Sequence, residues 1–328
     1  MQFQPRQMKT ILLVKTSSLG DVIHNLPVAS DIRAAIPDSR IDWVVEESLT
    51  AVPRLHPAVS GVLPVAIRRW RRSLLARATR NEIGRFLDEL RAHDYDAVID
   101  TQGLVKSALI ARAARGPRHG LDWNSAREPL ALFYDRTYCV PWTSHAVERN
   151  RALAARALGY AVPNGVDYGI QSATGDFAWL GRGPYVVLLH ATSQARKLWP
   201  EASWTELGEM LAAAGRRCVL PWHGDAEGAR SERLARQIPG AIVPPELLLG
   251  DVTRLIAGAA AVAGVDTGLT HLAAALGRPT AGIYRATDPA ATGLYGGPRA
   301  VNLGGIGETP AAPQVMAALE RLSDSVIK

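Results

Sequence analysis

Four short stretches of this 328-residue chain place hydroxyls, carboxylates and cations directly after apolar runs, where open α/β sheets hold their ligands. In the first, Lys15-Thr16-Ser17-Ser18-Leu19-Gly20-Asp21 follows Ile11-Leu12-Leu13-Val14 and runs into a helical pattern of Val22, Ile23, Leu26, Val28, Ala29 and Ile32. A turn of small and hydroxyl residues closed by Gly20 offers backbone N–H groups and a helix start to a ligand, with the Asp21 carboxylate beside it. Ser18 and Asp21 are equally good helix caps, so this stretch alone does not decide between capping and chemistry. The other three stretches lie further along. His190-Ala191-Thr192-Ser193 with Lys197 follows the run Tyr185–Leu189, Pro221–Glu227 follows Arg217–Leu220, and Asp266-Thr267-Gly268-Leu269-Thr270-His271 follows Ala261–Val265. Taken singly, Thr192 and Thr267 read as caps and His271 as a core histidine. Taken together, they suit a diphosphate carrying a sugar-like polyol. Lys197 and backbone donors meet the charge, while carboxylates accept hydroxyl hydrogen bonds.

Other phosphate chemistries lack their signatures. No Gly-x-Gly-x-x-Gly opens a helix, since Gly181-Arg182-Gly183 precedes a strand, and no Walker-type Gly-Lys-Ser/Thr occurs. Asp94-Tyr95-Asp96 resembles a metal-binding Asp-x-Asp, but it enters a strand at the N-terminal end, away from the ligand edge, and is assigned to capping.

The elements that must position these residues alternate. Strands are predicted at Ile41–Val45, Val62–Val65 and Tyr95–Asp100, with an amphipathic helix from Thr79 to Ala92, a helix through Leu109 and Ile110, and a long helix from His145 to Leu158. Trp123–Tyr134 reads as a loop with a short helix. A Gly-, Pro- and Asp-rich interval follows. A second alternation then runs through strands Tyr185–Leu189, Arg217–Leu220, Ala241–Val243, Ala261–Val265 and Thr280–Ile283, with helices Pro200–Ala214, Ala226–Ile238, Asp251–Ala260 and Thr270–Leu276 between them. The pattern predicts an α/β protein of two doubly wound, Rossmann-like domains facing each other across a cleft. The expected divisions are residues 1–162, a linker at 163–184, a second domain at 185–309, and a terminal helix in 310–328 that returns to the first domain. Residues 1–7 match no element and look like an extension before Met8.

Composition is that of a globular protein, 47% hydrophobic and 21% charged. Cys139 and Cys218 have no metal-ligand spacing and read as buried thiols of a reducing compartment. No signal-like segment opens the chain, and the longest apolar region, Leu255–Val265, is too short to span a bilayer, so a cytoplasmic protein is expected. The net charge of +6 is one-sided: residues 1–160 hold 23 Lys/Arg against 16 Asp/Glu, and the remainder 14 against 15. From Ser48 to Asn81 there is no acidic residue, yet Arg54, Arg68, Arg69, Arg71, Arg72, Arg77 and Arg80 fall there. Such a stretch fits nucleic acid, an acidic lipid surface or an anionic substrate, or is a solvated face with no partner.

Lys15–His24, His190–Ser193 with Lys197 and Trp199-Pro200, and Val265–His271 together resemble the bacterial lipopolysaccharide heptosyltransferases. Arg68-Arg69-Trp70-Arg71-Arg72 and Ala126-Arg127-Glu128-Pro129-Leu130 point to the heptosyltransferase I branch. The resemblance runs from Met8 to the C-terminus, with Ser193 where a second threonine is common. It implies a GT-B type fold and an inverting transfer of L-glycero-D-manno-heptose from ADP-heptose to the inner Kdo of Kdo2-lipid A. By the same carry-over Asp21 is the base and Lys197 assists departure of the diphosphate. Thr192, Ser193, Lys197, Glu227, Leu247, Asp266, Thr267, Gly268 and His271 bind donor; Ser17, Ser18, Gly20, Arg68, Arg69, Arg71, Arg72 and Arg127 bind acceptor. Trp70 is either a lipid-interface residue or a packed anchor. No resident metal or cofactor is required, although assistance by a divalent ion stays open. The partners implied are the donor, the lipid acceptor and the cytoplasmic face of the inner membrane, with no nucleic acid. Three alternatives remain: heptosyltransferase II, separated by acceptor preference; a nucleotide-sugar epimerase, which turns over donor alone; and a non-catalytic binder of anionic ligands, which releases no ADP.

Overall fold

The computed structural model describes residues 8–324, in two compact units that divide between Ile170 and Gln171. The extension expected over residues 1–7 lies outside the described residues.

In the first unit the elements are β1 (Thr10–Val14), α1 (Leu19–Ile23), α2 (Leu26–Ala35), β2 (Arg40–Glu46), β3 (Val59–Val65), α3 (Ile67–Trp70), α4 (Arg77–Leu90), β4 (Ala97–Asp100), α5 (Val105–Ala113), β5 (Arg118–Leu121), β6 (Arg136–Tyr138) and α6 (Ala146–Leu158). All six strands are parallel, in the order β3-β2-β1-β4-β5-β6. The uninterrupted apolar run of β1 is explained by its place at the centre, where both faces are covered and no residue from Ile11 to Val14 touches solvent. Leu12 and Val14 face the core built with Phe86 and Leu90 of α4. On α6, Arg151 is bound to Asp31 of α2 at 2.7 Å, both side chains buried. The single helix expected after β1 is two. Pro27 has no N–H to give the preceding turn, so α1 stops at Ile23 and α2 begins with the proline in its first turn. Strands β5 and β6, which carry no apolar run to read in the sequence, extend the sheet past β4.

In the second unit the elements are β7 (Tyr185–Leu189), α7 (Glu201–Ala213), β8 (Arg217–Val219), α8 (Asp225–Ala235), α9 (Leu249–Gly258), β9 (Ala261–Val265), α10 (Gly268–Ala275), β10 (Thr280–Tyr284), α11 (Pro289–Thr292), β11 (Ala300–Gly304) and α12 (Ala312–Asp324). The sheet is again parallel, ordered β11-β10-β9-β7-β8. The strand expected at Ala241–Val243 is reduced to one bridge, Ile242 to Val219, because Pro244 and Pro245 follow and cannot donate to a ladder. Counting that bridge as a rudimentary edge gives the second sheet the winding of the first. The core includes Trp199 and Trp204, packed edge to face at 4.9 Å. The terminal helix was expected to return to the first domain. Instead, Ala312, Val315, Met316 and Leu319 of α12 join this core, where α12 packs on α7, β9 and β10. Its apolar stripe is used up there. Cys218 is buried, and burial pushes its thiol up to about 12, whereas Cys139, expected to be buried, is exposed just past the edge strand β6. Among the described residues no helix is long and apolar enough to cross a membrane.

Candidate functional site

Each sheet reverses its winding between two adjacent strands, the place where open α/β sheets hold ligands in a crevice at the strands' carboxyl ends. In the first unit they are β1 and β4, paired in register from Ile11 with Ala97 to Val14 with Asp100. The two loops are laced together. Gln102 Oε1 accepts from the backbone N–H groups of Thr16 and Ser17, at 3.0 and 3.1 Å. Lys15 crosses beneath, donating to the Thr101 carbonyl at 2.7 Å and to Asn150 Oδ1 at 3.3 Å. Burial lowers the Lys15 pKa, an effect opposed by the charges of Asp21 and Asp100. Above it, Lys106 donates to Ser17 Oγ at 2.6 Å; its pKa is also lowered, by burial first, within the fields of Glu46, Arg68, Asp21 and Arg71. Asp100 anchors the floor, accepting from Gln102 N, Gly103 N, Ser107 Oγ and Tyr134 Oη, yet burial still pushes its carboxyl up.

Asp21 is half-buried at the start of α1, where its Oδ2 accepts from both Ser18 N and Ser18 Oγ at 2.8 Å. Capping and chemistry are therefore not exclusive: one carboxylate oxygen makes a capping box, and the group stands at the crevice mouth beside Gly20. Arg127 is exposed, while its neighbour Glu128 caps α5 by accepting from Val105 N at 2.6 Å.

The four acceptor arginines of the run Arg68–Arg72 do not behave alike. Arg68, Arg71 and Arg72 are exposed. Arg69 instead binds Glu47 at 3.0 Å and Glu82 at 2.8 Å, the two acidic residues that border the acid-free interval. It is exposed like the other three but already paired with the protein's own carboxylates. Trp70 is a packed anchor, 8% exposed, tilted against Phe86 and donating from Nε1 to Glu82 at 2.8 Å.

In the second unit the reversal lies between β7 and β9. Asp266, after β9, receives Lys197 Nζ at 2.7 Å and Thr287 Oγ1 at 2.6 Å on Oδ2, with His271 Nε2 3.7 Å from Oδ1. Burial pushes this carboxyl up, but hydrogen bonds from His271, Lys197 and Thr287 outweigh it and hold the group well below the usual carboxylate range. Thr192 donates to the Asp266 carbonyl at 3.3 Å, joining the loop after β7 to that after β9. Thr267 is the residue before α10, which starts at Gly268. Ser193 is exposed; Leu247 is half-buried just before α9. Glu227 accepts from His223 N at 3.0 Å, near α8's first turn. His190 is a core residue, bound to Ser231 Oγ at 2.8 Å and lowered to about 4 by burial. Thus Thr192, Lys197, Asp266 and His271 are brought into one network. It can present a cation and ionised acceptor oxygens to a charged, hydroxyl-rich ligand.

Sequence reasoning overlooked Lys106, Gln102 and Thr287. Thr287 follows β10 as Asp266 follows β9, so a scan of every strand end would have found it. For Lys106 the signal was composition: among 37 basic residues only five are lysine, at positions 9, 15, 106, 197 and 328, and three of those five stand at the two winding reversals.

Residues 83–318 match the model of glycosyltransferase family 9 (heptosyltransferase). The chain is 49% identical over 306 residues to lipopolysaccharide heptosyltransferase 1 of Pseudomonas aeruginosa, spanning 92% of this chain and 85% of that one. It also resembles two solved structures of the Escherichia coli heptosyltransferase WaaC, each 43% identical and covering 95% of this chain and 99% of the other. One, with ADP, superposes with a TM-score of 0.87, and one with ADP-2-deoxy-2-fluoro heptose with 0.84.

Proposed function

Because this chain belongs to glycosyltransferase family 9, the heptosyltransferases, we propose a division of labour between its two winding reversals. The chain is a GT-B type glycosyltransferase that transfers heptose from a nucleotide-sugar donor in lipopolysaccharide core synthesis. The donor is ADP-L-glycero-D-manno-heptose and the acceptor is the inner Kdo of Kdo2-lipid A, presented at the cytoplasmic face of the inner membrane. A β-linked donor giving an α-linked product requires a single displacement, with one base to take the acceptor proton and a device to hold the departing ADP. Asp21 is that base. Its cap through Oδ2 fixes the carboxylate's direction before substrate arrives. Arg68, Arg71, Arg72 and Arg127 bind acceptor carboxylates and phosphates, with Lys106 and Ser17 at the crevice floor and Ser18 and Gly20 shaping its mouth. In the second unit Lys197 offers its ammonium to the diphosphate, alongside Thr192, Ser193 and the Thr267-Gly268 backbone. Asp266, kept ionised, accepts heptose hydroxyls, with His271 beside it; Glu227 accepts from the ribose and Leu247 packs on the nucleoside.

The observation that carries this reading is the Lys197–Asp266–Thr287 cluster at the second reversal: a cation beside an ionised acceptor suits a sugar diphosphate. ADP release by the purified protein tests it. Release is expected only when ADP-heptose and Kdo2-lipid A are both present. Turnover of ADP-heptose alone would instead indicate an epimerase, preference for a monoheptosylated acceptor would indicate addition of the second heptose, and no release at all would leave a binding protein.

A further inference from the structure

Between α3 and α4 the chain turns back through Arg71-Arg72-Ser73-Leu74-Leu75-Ala76, and the two leucines point into solvent, 54% and 90% exposed. This is not a slack loop. Its entry is held by Trp70, buried on Phe86 and bonded to Glu82. Arg69 adds its two ion pairs, and Ser73 Oγ lies 3.0 Å from Thr79 Oγ1 across the turn. Successive backbone bonds from Arg72, Ser73 and Ala76 to the residues three before them tighten it further. A pinned turn that holds two adjacent leucines outward has already met the ordering cost of presenting them. Around them Arg68, Arg71, Arg72, Arg77 and Arg80 are all exposed, and the bordering carboxylates Glu47 and Glu82 are both engaged by Arg69. An apolar tip in a ring of uncompensated cations matches one chemistry, the surface of an anionic bilayer. Its headgroups take the arginines and its acyl boundary takes the leucines.

We propose that Leu74 and Leu75 form an insertion tip that anchors the first unit on anionic lipid. Neither half of the tip suffices alone. Two leucines bury too little area for lasting attachment, and arginines alone are screened by salt. The proposal deepens the lipid-acceptor reading but does not depend on catalysis.

The test is co-sedimentation with vesicles of phosphatidylcholine, with and without phosphatidylglycerol, using the full chain. Wild type should bind the phosphatidylglycerol vesicles and be released by salt. Leu74→Ser/Leu75→Ser should weaken the partition coefficient about tenfold or more. Arg77→Gln/Arg80→Gln should weaken it and flatten its salt dependence. ADP release with a deacylated, water-soluble acceptor should be unchanged in the leucine variant, because neither leucine belongs to the donor or acceptor site. Unchanged partition of the leucine variant overturns the proposal, as does equal binding to both vesicle types. A change in oligomeric state without vesicles, with partition intact, would make the tip a self-association face and overturn it too. If the acceptor assignment is wrong, ADP release fails in wild type while the vesicle result stands.

Discussion

Asp21 holds Ser18 in a capping box and is also the proposed base, and the two duties can be separated by one substitution. Asn accepts a hydrogen bond much as Asp does, so Asp21→Asn should cost at most about 1 kcal/mol of stability. It cannot take a proton. Loss of a general base slows a reaction by roughly 10²–10⁴-fold. The expected variant melts within a few degrees of wild type, binds ADP-heptose normally and barely transfers heptose; near-normal transfer would leave Asp21 only the cap. The arginines divide in the same way. Replacing Arg68, Arg71 and Arg72 by Ala should raise the acceptor KM with donor KM unmoved. Arg69→Ala should lower Tm, because it frees Glu47 and Glu82 and loosens the turn at Trp70. Equal KM effects from Arg69 and the other three, with no loss of Tm, would place it with them in the acceptor site.

The strand–turn–helix unit is repeated, and its tolerances are tight. On β9, a Cβ placed on Gly264 would lie 2.1 Å from Thr270 Oγ1 and 3.0 Å from Leu189 Cβ. Thr270 donates to the Val265 carbonyl at 2.7 Å and so fixes the turn carrying Asp266. Gly264→Ala should therefore destabilise by about 1–3 kcal/mol. It should also weaken ADP binding, which calorimetry can read; intact affinity would mean that the turn absorbs the shift. Such units were legible in the sequence wherever an apolar run met a polar turn, which is why the loops after β1, β7 and β9 were found. Strands without an apolar run, such as the Arg136-Thr137-Tyr138 of β6, leave no pattern to read, whereas the comparably short β4 and β8 were found. The partners of a loop were also illegible: Gln102 holds Thr16 and Ser17 from 86 and 85 residues away. Only strand order puts β4 beside β1, and local pattern does not encode that order.

At the scale of the molecule, two units of like winding carry unlike charge. The excess of cations lies in the first unit, and the second is close to neutral. Ionic strength should therefore act on binding of the proposed lipid acceptor far more than on that of the nucleotide sugar, since exposed charges more than about 8 Å apart are screened at physiological salt. The preference for arginine over lysine has a further, practical result. Each winding reversal is marked by a primary amine, Lys106 touching Ser17 in one and Lys197 touching Asp266 in the other, in a chain where arginine supplies nearly every other positive charge. Reductive methylation with isotopically enriched formaldehyde would thus write a sparse spectrum, in which the Lys106 and Lys197 dimethylamine signals would report separately on the two winding reversals.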